Sequence, residues 1–403
     1  MKKLIFIILI VCFTANLFCK DVYSGADKQT KEILEAVDNL LKKKQYQTAF
    51  GKVSIAYNEY ILAKKIEIAI NGFALSMMHQ MFTFKDLEEN ETLEDVRNAT
   101  DVTYSLILFD PVKEIKNFQE NNGEKPILNY SLGLYYQDVL ERYGSNWLIS
   151  TDELTDNVIL YLQKALDQGC YDAYSLSTLA TSYYSKNDLN SAIAVYKQKE
   201  KEFKLTATDN YHYSSVLLFS GNPKAGINYI KKAIEGYKDN PEYQADAYII
   251  AARIGMAIPD YKMAEKYLVN GKKLFPQNYR IPQYSVGLYS LQNNKKKAVS
   301  SAMELFAFAP ENPTVCRMII EQCGNAGKND FAIAFFEEAV IEYKDNSKAC
   351  ENLYFHFADL YHTMGKYTEA KEMATNARIY FEKNGTLTDE IDKMLKVLSR
   401  QGD

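Results

Sequence analysis

The chain has 403 residues, of which 47% are hydrophobic and 25% charged, a balance that excludes a disordered polymer and a protein embedded in a membrane along most of its length. Its formal net charge is −5, and its densest basic run is Lys295-Lys296-Lys297, so the basic stripe that binding to nucleic acid requires is missing. Tyrosine is abundant, 31 residues against one tryptophan, and it combines an apolar ring with a polar tip, which suits both helix packing and a wet binding surface.

Residues 1–19 follow the pattern of an export signal. Lys2 and Lys3 precede an apolar run from Leu4 to Phe13, and a polar exit follows at Thr14 to Asn16. That run is shorter than the roughly 20 residues that span a bilayer, so we read it as a cleaved signal with the mature chain beginning between Lys20 and Asp27. Its removal takes two lysines and no acid and moves the net charge from −5 to −7. Cys19 raises a second expectation, lipidation of the mature N-terminus. The bulky Phe18 weighs against it, because lipidated cysteines follow small residues. The expected location is periplasmic or elsewhere in the cell envelope, with membrane attachment only through Cys19.

Residues 27–125 read as N-terminal helical hairpins. Ile33, Ala36, Val37 and Leu40, then Tyr46, Ala49, Val53 and Ala56, recur at helical spacing. Beyond Tyr60 the spacing predicts a long apolar helix from Ile61 to about Phe84, an acidic turn at Glu88 to Glu91, and a helix ending before Pro111. Asn117 to Lys125 reads as a loop. Residues 126–172 form a hairpin with a long inserted turn, 143–156, in which Trp147 is expected to cover the apolar end of the hairpin.

From 173 to 385 the chain copies itself. Ala192, Gly226, Ala264, Ala298, Ala332 and Ala370 fall at intervals of 34, 38, 34, 34 and 38 residues, each early in a second helix. Phe203, Tyr237, Phe275, Tyr343 and Phe381 lie eleven residues after their respective small residues, and Ala309 interrupts that column. Tyr237-Lys238-Asp239-Asn240 returns as Tyr343-Lys344-Asp345-Asn346. Small residues at a helix crossing let two backbones approach closely, and a copied hairpin buries its apolar face against the next copy. Residues 386–403 supply a capping helix, from about Thr388 to Ser399, and a tail.

The succession Tyr354, Phe357, Ala358, Tyr361, Gly365, Tyr367, Ala370 and Ala377 resembles the tetratricopeptide repeat, and Leu176, Leu179, Ala180, Tyr183, Ala192 and Tyr196 match it nearly as well. Gly226 at a crossing position, Lys199 and Leu305 at a later one, and Pro259 at the turn depart from the pattern. The resemblance implies an all-α, right-handed superhelical solenoid of antiparallel helix pairs whose first helices line a concave face. Transferred residue by residue, that face comprises Tyr174, Ser177, Thr181, Tyr184, Thr208, Tyr211, Ser215, Asp246, Arg253, Arg280, Gln283, Thr314, Arg317, Glu321, Asn352, Phe355, Asp359 and His362. The basic and asparagine cluster by which some members grip a terminal carboxylate is missing.

No catalytic, metal-binding or cofactor motif stands out. His79, His212, His356 and His362 read as surface or partly buried helix residues, and the last two lack the i, i+4 spacing of a metal pair. Cys316 and Cys323, seven apart on one helix, lie roughly 10 Å apart along its axis, beyond disulfide reach. With Cys170 and Cys350 they are expected as free thiols. The composite expectation is a non-enzymatic exported scaffold that holds a protein or peptide in its groove. The alternative is a small-ligand or solute carrier whose pocket the 143–156 insertion closes.

Overall fold

The computed structural model describes residues 21–55, 57–99 and 105–401, so the export signal and Cys19 lie outside the described residues. The chain divides into two compact units, Met1–Leu205 and Thr206–Asp403.

The first unit opens with α1 (Lys28–Lys42) and α2 (Tyr46–Val53), an antiparallel pair, followed by α3 (Glu59–Asn71). Asp27 caps α1 by accepting from the Thr30 amide, and Asn58 caps α3 in the same way from Tyr60 and Ile61. These contacts satisfy donors that have no partner inside the helix. Leu34, Val37, Ala49, Phe50, Ile61, Leu62 and Ile66 form the common core.

Between Ile61 and Pro111 the structure corrects the sequence reading. The apolar helix stops at Asn71, and the chain turns into three short strands, β1 (Leu75–Met77), β2 (Met81–Thr83) and β3 (Ile107–Leu108). They pair antiparallel in the order β1-β2-β3, with Ser76 opposite Phe82 and Phe82 opposite Ile107. The helix ends where Gly72 presses its backbone on Tyr46: a Cβ there would lie 2.6 Å from the Tyr46 ring. Phe82, Phe84 and Phe109 lie beneath the sheet and pack with Phe50, whose ring stacks on Phe84 at 4.2 Å. The apolar residues after Asn71 thus cover α2 and α3 from a sheet rather than from a continued helix.

Where a helix was expected to end before Pro111, the described residues hold α4 (Leu93–Asn98), set by a capping box of Thr92 and Asp95. Pro111 begins a helix, α5 (Pro111–Asn122), at the position where its missing amide donor does no harm. Most of the expected 117–125 loop is therefore helical, with Asn121 and Asn122 donating to carbonyls one turn back. The unit closes with two antiparallel pairs, α6 (Pro126–Arg142) with α7 (Thr151–Asp167), and α8 (Ala173–Ser185) with α9 (Leu189–Glu202). The inserted turn is shorter than expected, because Ser150 caps α7 by accepting from the Glu153 amide.

The second unit holds five antiparallel pairs: α10 (Ala207–Phe219) with α11 (Pro223–Gly236), α12 (Pro241–Ala257) with α13 (Tyr261–Leu274), and α14 (Arg280–Leu291) with α15 (Lys295–Ala307). These are followed by α16 (Pro313–Asn325) with α17 (Asn329–Glu342), and by α18 (Ser347–Thr363) with α19 (Tyr367–Asn384). A final helix, α20 (Asp389–Gln401), buries Ile391 and Leu398 against Ala370, Ala374, Ala377 and Phe381. The fold is all-α apart from the small sheet, and its repeating unit is the helix pair of a solenoid.

The small-residue column explains the spacing. Ala192, Gly226, Ala264, Ala298, Ala332 and Ala370 are all buried. A Cβ at Gly226 would lie 3.1 Å from the Ser214 carbonyl and 3.2 Å from Ile254, so a larger side chain would separate α11 from its neighbours. Larger residues fill the levels between the crossings. Phe306, Phe335 and Phe336 have no exposed surface, and Phe336 stacks on Phe357 at 5.1 Å, each burial stabilising by roughly 1.5–3 kcal/mol. Phe203, Tyr237, Phe275 and Tyr343 each sit at the C-cap of a second helix, and Phe308 takes that place after α15, one residue before Ala309.

Candidate functional site

In the second unit the first helices α10, α12, α14, α16 and α18 lie side by side and carry a mixed polar and aromatic face. Two of its arginines reach across repeats. Arg280, on α14, pairs with Asp246 on α12. Arg253, on α12, lies between two rings: its guanidinium carbon is 4.8 Å from the centroid of Phe219 on α10 and 5.4 Å from that of Tyr284 on α14. Neither Phe219 nor Tyr284 belongs to the positions transferred from the repeat pattern; each sits on the exposed side of a first helix, where an aromatic was a legible but unread signal.

The remaining expected positions are spread along the face. Arg317 is exposed and donates to Thr314 on its own helix, and Glu321 and Asp359 are exposed. Gln283 and Tyr211 are half-buried, and Tyr211 meets Tyr237 edge to face at 6.4 Å. Phe355 leans on Phe381 at 5.8 Å and His362 approaches Tyr367 at 5.9 Å, so both turn toward the second helix of their own hairpin. His356, between Phe355 and Asp359, is buried, its Nε2 has no hydrogen-bond partner, and burial lowers its pKa to about 4. Burial also raises the Asp246 carboxyl, against the opposing pull of Arg280. In the first unit Tyr174 is 53% exposed on α8, and Tyr184 is half-buried on the same helix.

The first unit contains a polar cluster that sequence reasoning missed. His79 is not on a helix. It occupies the β1–β2 turn, wholly buried, with its backbone in the left-handed region at φ 50° beside Met78 at φ 49°. Its Nε2 hydrogen-bonds Asp138 on α6 at 2.5 Å, and Asp138 accepts in turn from Arg142 Nε at 2.9 Å. Arg142 and Arg97 flank the Phe73 ring at 4.4 and 3.9 Å, and burial, reinforced by Arg142, lowers the Arg97 pKa to about 10.

Ser76 Oγ stands 3.4 Å from His79 Nδ1, which completes a serine–histidine–carboxylate series in sequence of contact. The imidazole, however, has no exposed surface, and Phe82, Tyr135, Tyr143 and Trp147 surround it at 4.8–6.0 Å. The series ties the hairpin tip to α6 through the His79–Asp138 contact. Trp147 is half-buried, packing on Tyr143 at the end of its own hairpin with ring centroids 4.9 Å apart and on the His79 ring at 5.9 Å. A cavity of about 180 Å³ in this unit is lined by Tyr60, Lys125, Cys170 and Tyr171 among others, and by no residue of the 143–156 segment.

Among the described residues no group of three or more His, Cys, Asp or Glu side chains is placed to hold a metal ion, and no helix is long and apolar enough to cross a membrane. Among the described residues Cys170, Cys316, Cys323 and Cys350 form no disulfide.

Residues 351–377, which span most of α18 and the first half of α19, match the tetratricopeptide repeat family. The chain carries a tetratricopeptide repeat there. Three solved structures illustrate its likenesses. YrrB, described as a tetratricopeptide repeat protein with an unusual peptide-binding site, is 15% identical with a TM-score of 0.39 over 51% of this chain and 96% of its own. A tetratricopeptide repeat protein from Parabacteroides merdae is 16% identical with a TM-score of 0.43 over 67% of this chain and 98% of its own. MamA from Desulfovibrio magneticus is 14% identical with a TM-score of 0.38 over 45% and 94%. No curated protein matches the sequence.

Proposed function

We propose that the chain is a non-enzymatic binding scaffold that holds a protein or peptide along the face of its first helices. The observation that carries the reading is the contrast between that face and the rest of the second unit. Crossing positions are small and buried, whereas the first helices present arginines, tyrosines and amides in half-exposed positions without a catalytic grouping. A preformed face of this kind binds an extended segment without ordering cost to the scaffold.

The sequence of residues 1–19 supports export to the cell envelope, and Cys19 is the residue through which a lipid anchor would attach. Against the carrier alternative, the cavity of about 180 Å³ in the first unit is lined by no residue of the 143–156 insertion. The test is native mass spectrometry of the chain taken from its own envelope fraction without refolding. A retained polypeptide of defined mass supports the scaffold. A stoichiometric small-molecule adduct would favour the carrier, and the mature mass reports cleavage and any lipid on Cys19.

A further inference from the structure

From the stacked Arg253 on α12 we infer that the groove of the second unit selects acidic peptides, with the side-chain carboxylate of an Asp or Glu seated on this guanidinium. The inference rests on the binding-scaffold reading and adds the chemistry of the partner.

The argument starts from what the two rings do. Phe219 and Tyr284 approach the guanidinium carbon from α10 and α14, so side chains from three successive first helices meet at one cation. Stacked rings hold the guanidinium and shed water from it, while leaving its in-plane N–H donors directed past the ring edges. No hydrogen bond or ion pair to Arg253 is found among the described residues, although a half-buried arginine offers five donors.

The neighbouring charges select the sign of the ligand. Asp246, two turns earlier on α12, is the acid on the same stretch of the groove, and Arg280 already occupies it. On α10, Asp209 is buried in the capping box with Thr206, and burial lowers the His212 pKa so that it adds no positive charge at neutral pH. This part of the face therefore carries one uncompensated positive charge in a fork geometry, which fits a planar carboxylate bidentately. A basic peptide would place a cation against Arg253 with its compensating acid already paired.

The test uses the full chain and two libraries of random twelve-residue peptides, one displayed within a loop without a free C-terminus and one displayed with it. Selection from the internal library is expected to enrich Asp and Glu. Arg253→Gln should weaken the selected peptides on the order of ten- to a hundred-fold, and replacing the enriched acid by its amide should weaken them comparably on the native chain. Arg253→Lys, which keeps the charge but not the fork, should recover only part of the loss, and unchanged helical circular dichroism of both variants excludes unfolding as the cause. Selected peptides without acidic preference, or with binding indifferent to Arg253, would overturn the inference while leaving the scaffold reading intact. Enrichment only with a free C-terminus would overturn it in favour of terminal-carboxylate recognition. Failure of both libraries to yield any binder would count against the scaffold reading itself.

Discussion

Gly255→Ala is the sharpest perturbation of the helix crossings, because two effects of similar size oppose each other there. Gly255 lies near the end of α12, and a Cβ built on it would stand 2.8 Å from the Ala264 amide nitrogen, 3.0 Å from its Cβ and 3.1 Å from its Cα. None of these atoms can rotate away, so α12 and α13 must separate by several tenths of an ångström. Alanine in a helix interior gains about 1 kcal/mol over glycine, and overpacking a close crossing costs about 1–3 kcal/mol, so the net expectation is a loss of about 0–2 kcal/mol. Gly51→Ala in α2, where nothing lies within 4 Å, isolates the propensity gain and should stabilise by about 0.5–1 kcal/mol. Because repeats unfold piecewise, the assay is amide hydrogen exchange on α12 and α13 alongside urea midpoints. Slower exchange in Gly255→Ala, matching the gain from Gly51→Ala, would refute the close-crossing argument.

Ala370→Phe should overpack the last hairpin by on the order of 1–3 kcal/mol, since Ala370 is buried between α18 and α20, whereas Lys371→Phe on the exposed side should be nearly neutral in a thermal melt. His356 stays neutral when folded down to about pH 4 but protonates near 6.5 when unfolded. The unfolded chain therefore binds the extra proton first, and stability falls as pH drops from 6.5 toward 4. At pH 4.5 the loss relative to pH 7 should exceed that of His356→Gln by about 2 kcal/mol in urea melts, and equal pH slopes would contradict it. Thiol labelling followed by mass spectrometry should modify the half-buried Cys170 first. Cys316, whose thiol burial pushes far up, and Cys323, pushed up to about 11, should react only on unfolding.

The repeat array was legible because its signal is redundant: a small residue at each crossing and an aromatic eleven residues later specify register independently of any one helix. The stretch from Ile61 to Asn122 was not. Its strands are two and three residues long, too short for alternation to show, and the turn at Met78-His79-Gln80 lacks the glycine or asparagine that announces a left-handed hairpin. The strain at Met78 and His79 is held by Asp138, 59 residues away from His79 in sequence, a tertiary contact no local pattern encodes. The start of α7 was readable in Ser150 and Glu153, a capping spacing masked by the expectation of a longer insertion. In the groove, the repeat pattern located Arg253 and Arg280 but not the rings that hold Arg253, since Phe219 and Tyr284 matter through their neighbours and not through the repeat.

The central claim is that the face of the first helices holds a polypeptide partner. Photo-crosslinking in the native cells tests it directly, with a benzophenone amino acid placed in turn at Arg317 and Glu321 on α16 and at Lys371 on the outer surface of α19. The account predicts a discrete protein or peptide adduct from the two groove positions and none from Lys371. Adducts at Lys371 with none at Arg317 or Glu321 would contradict it.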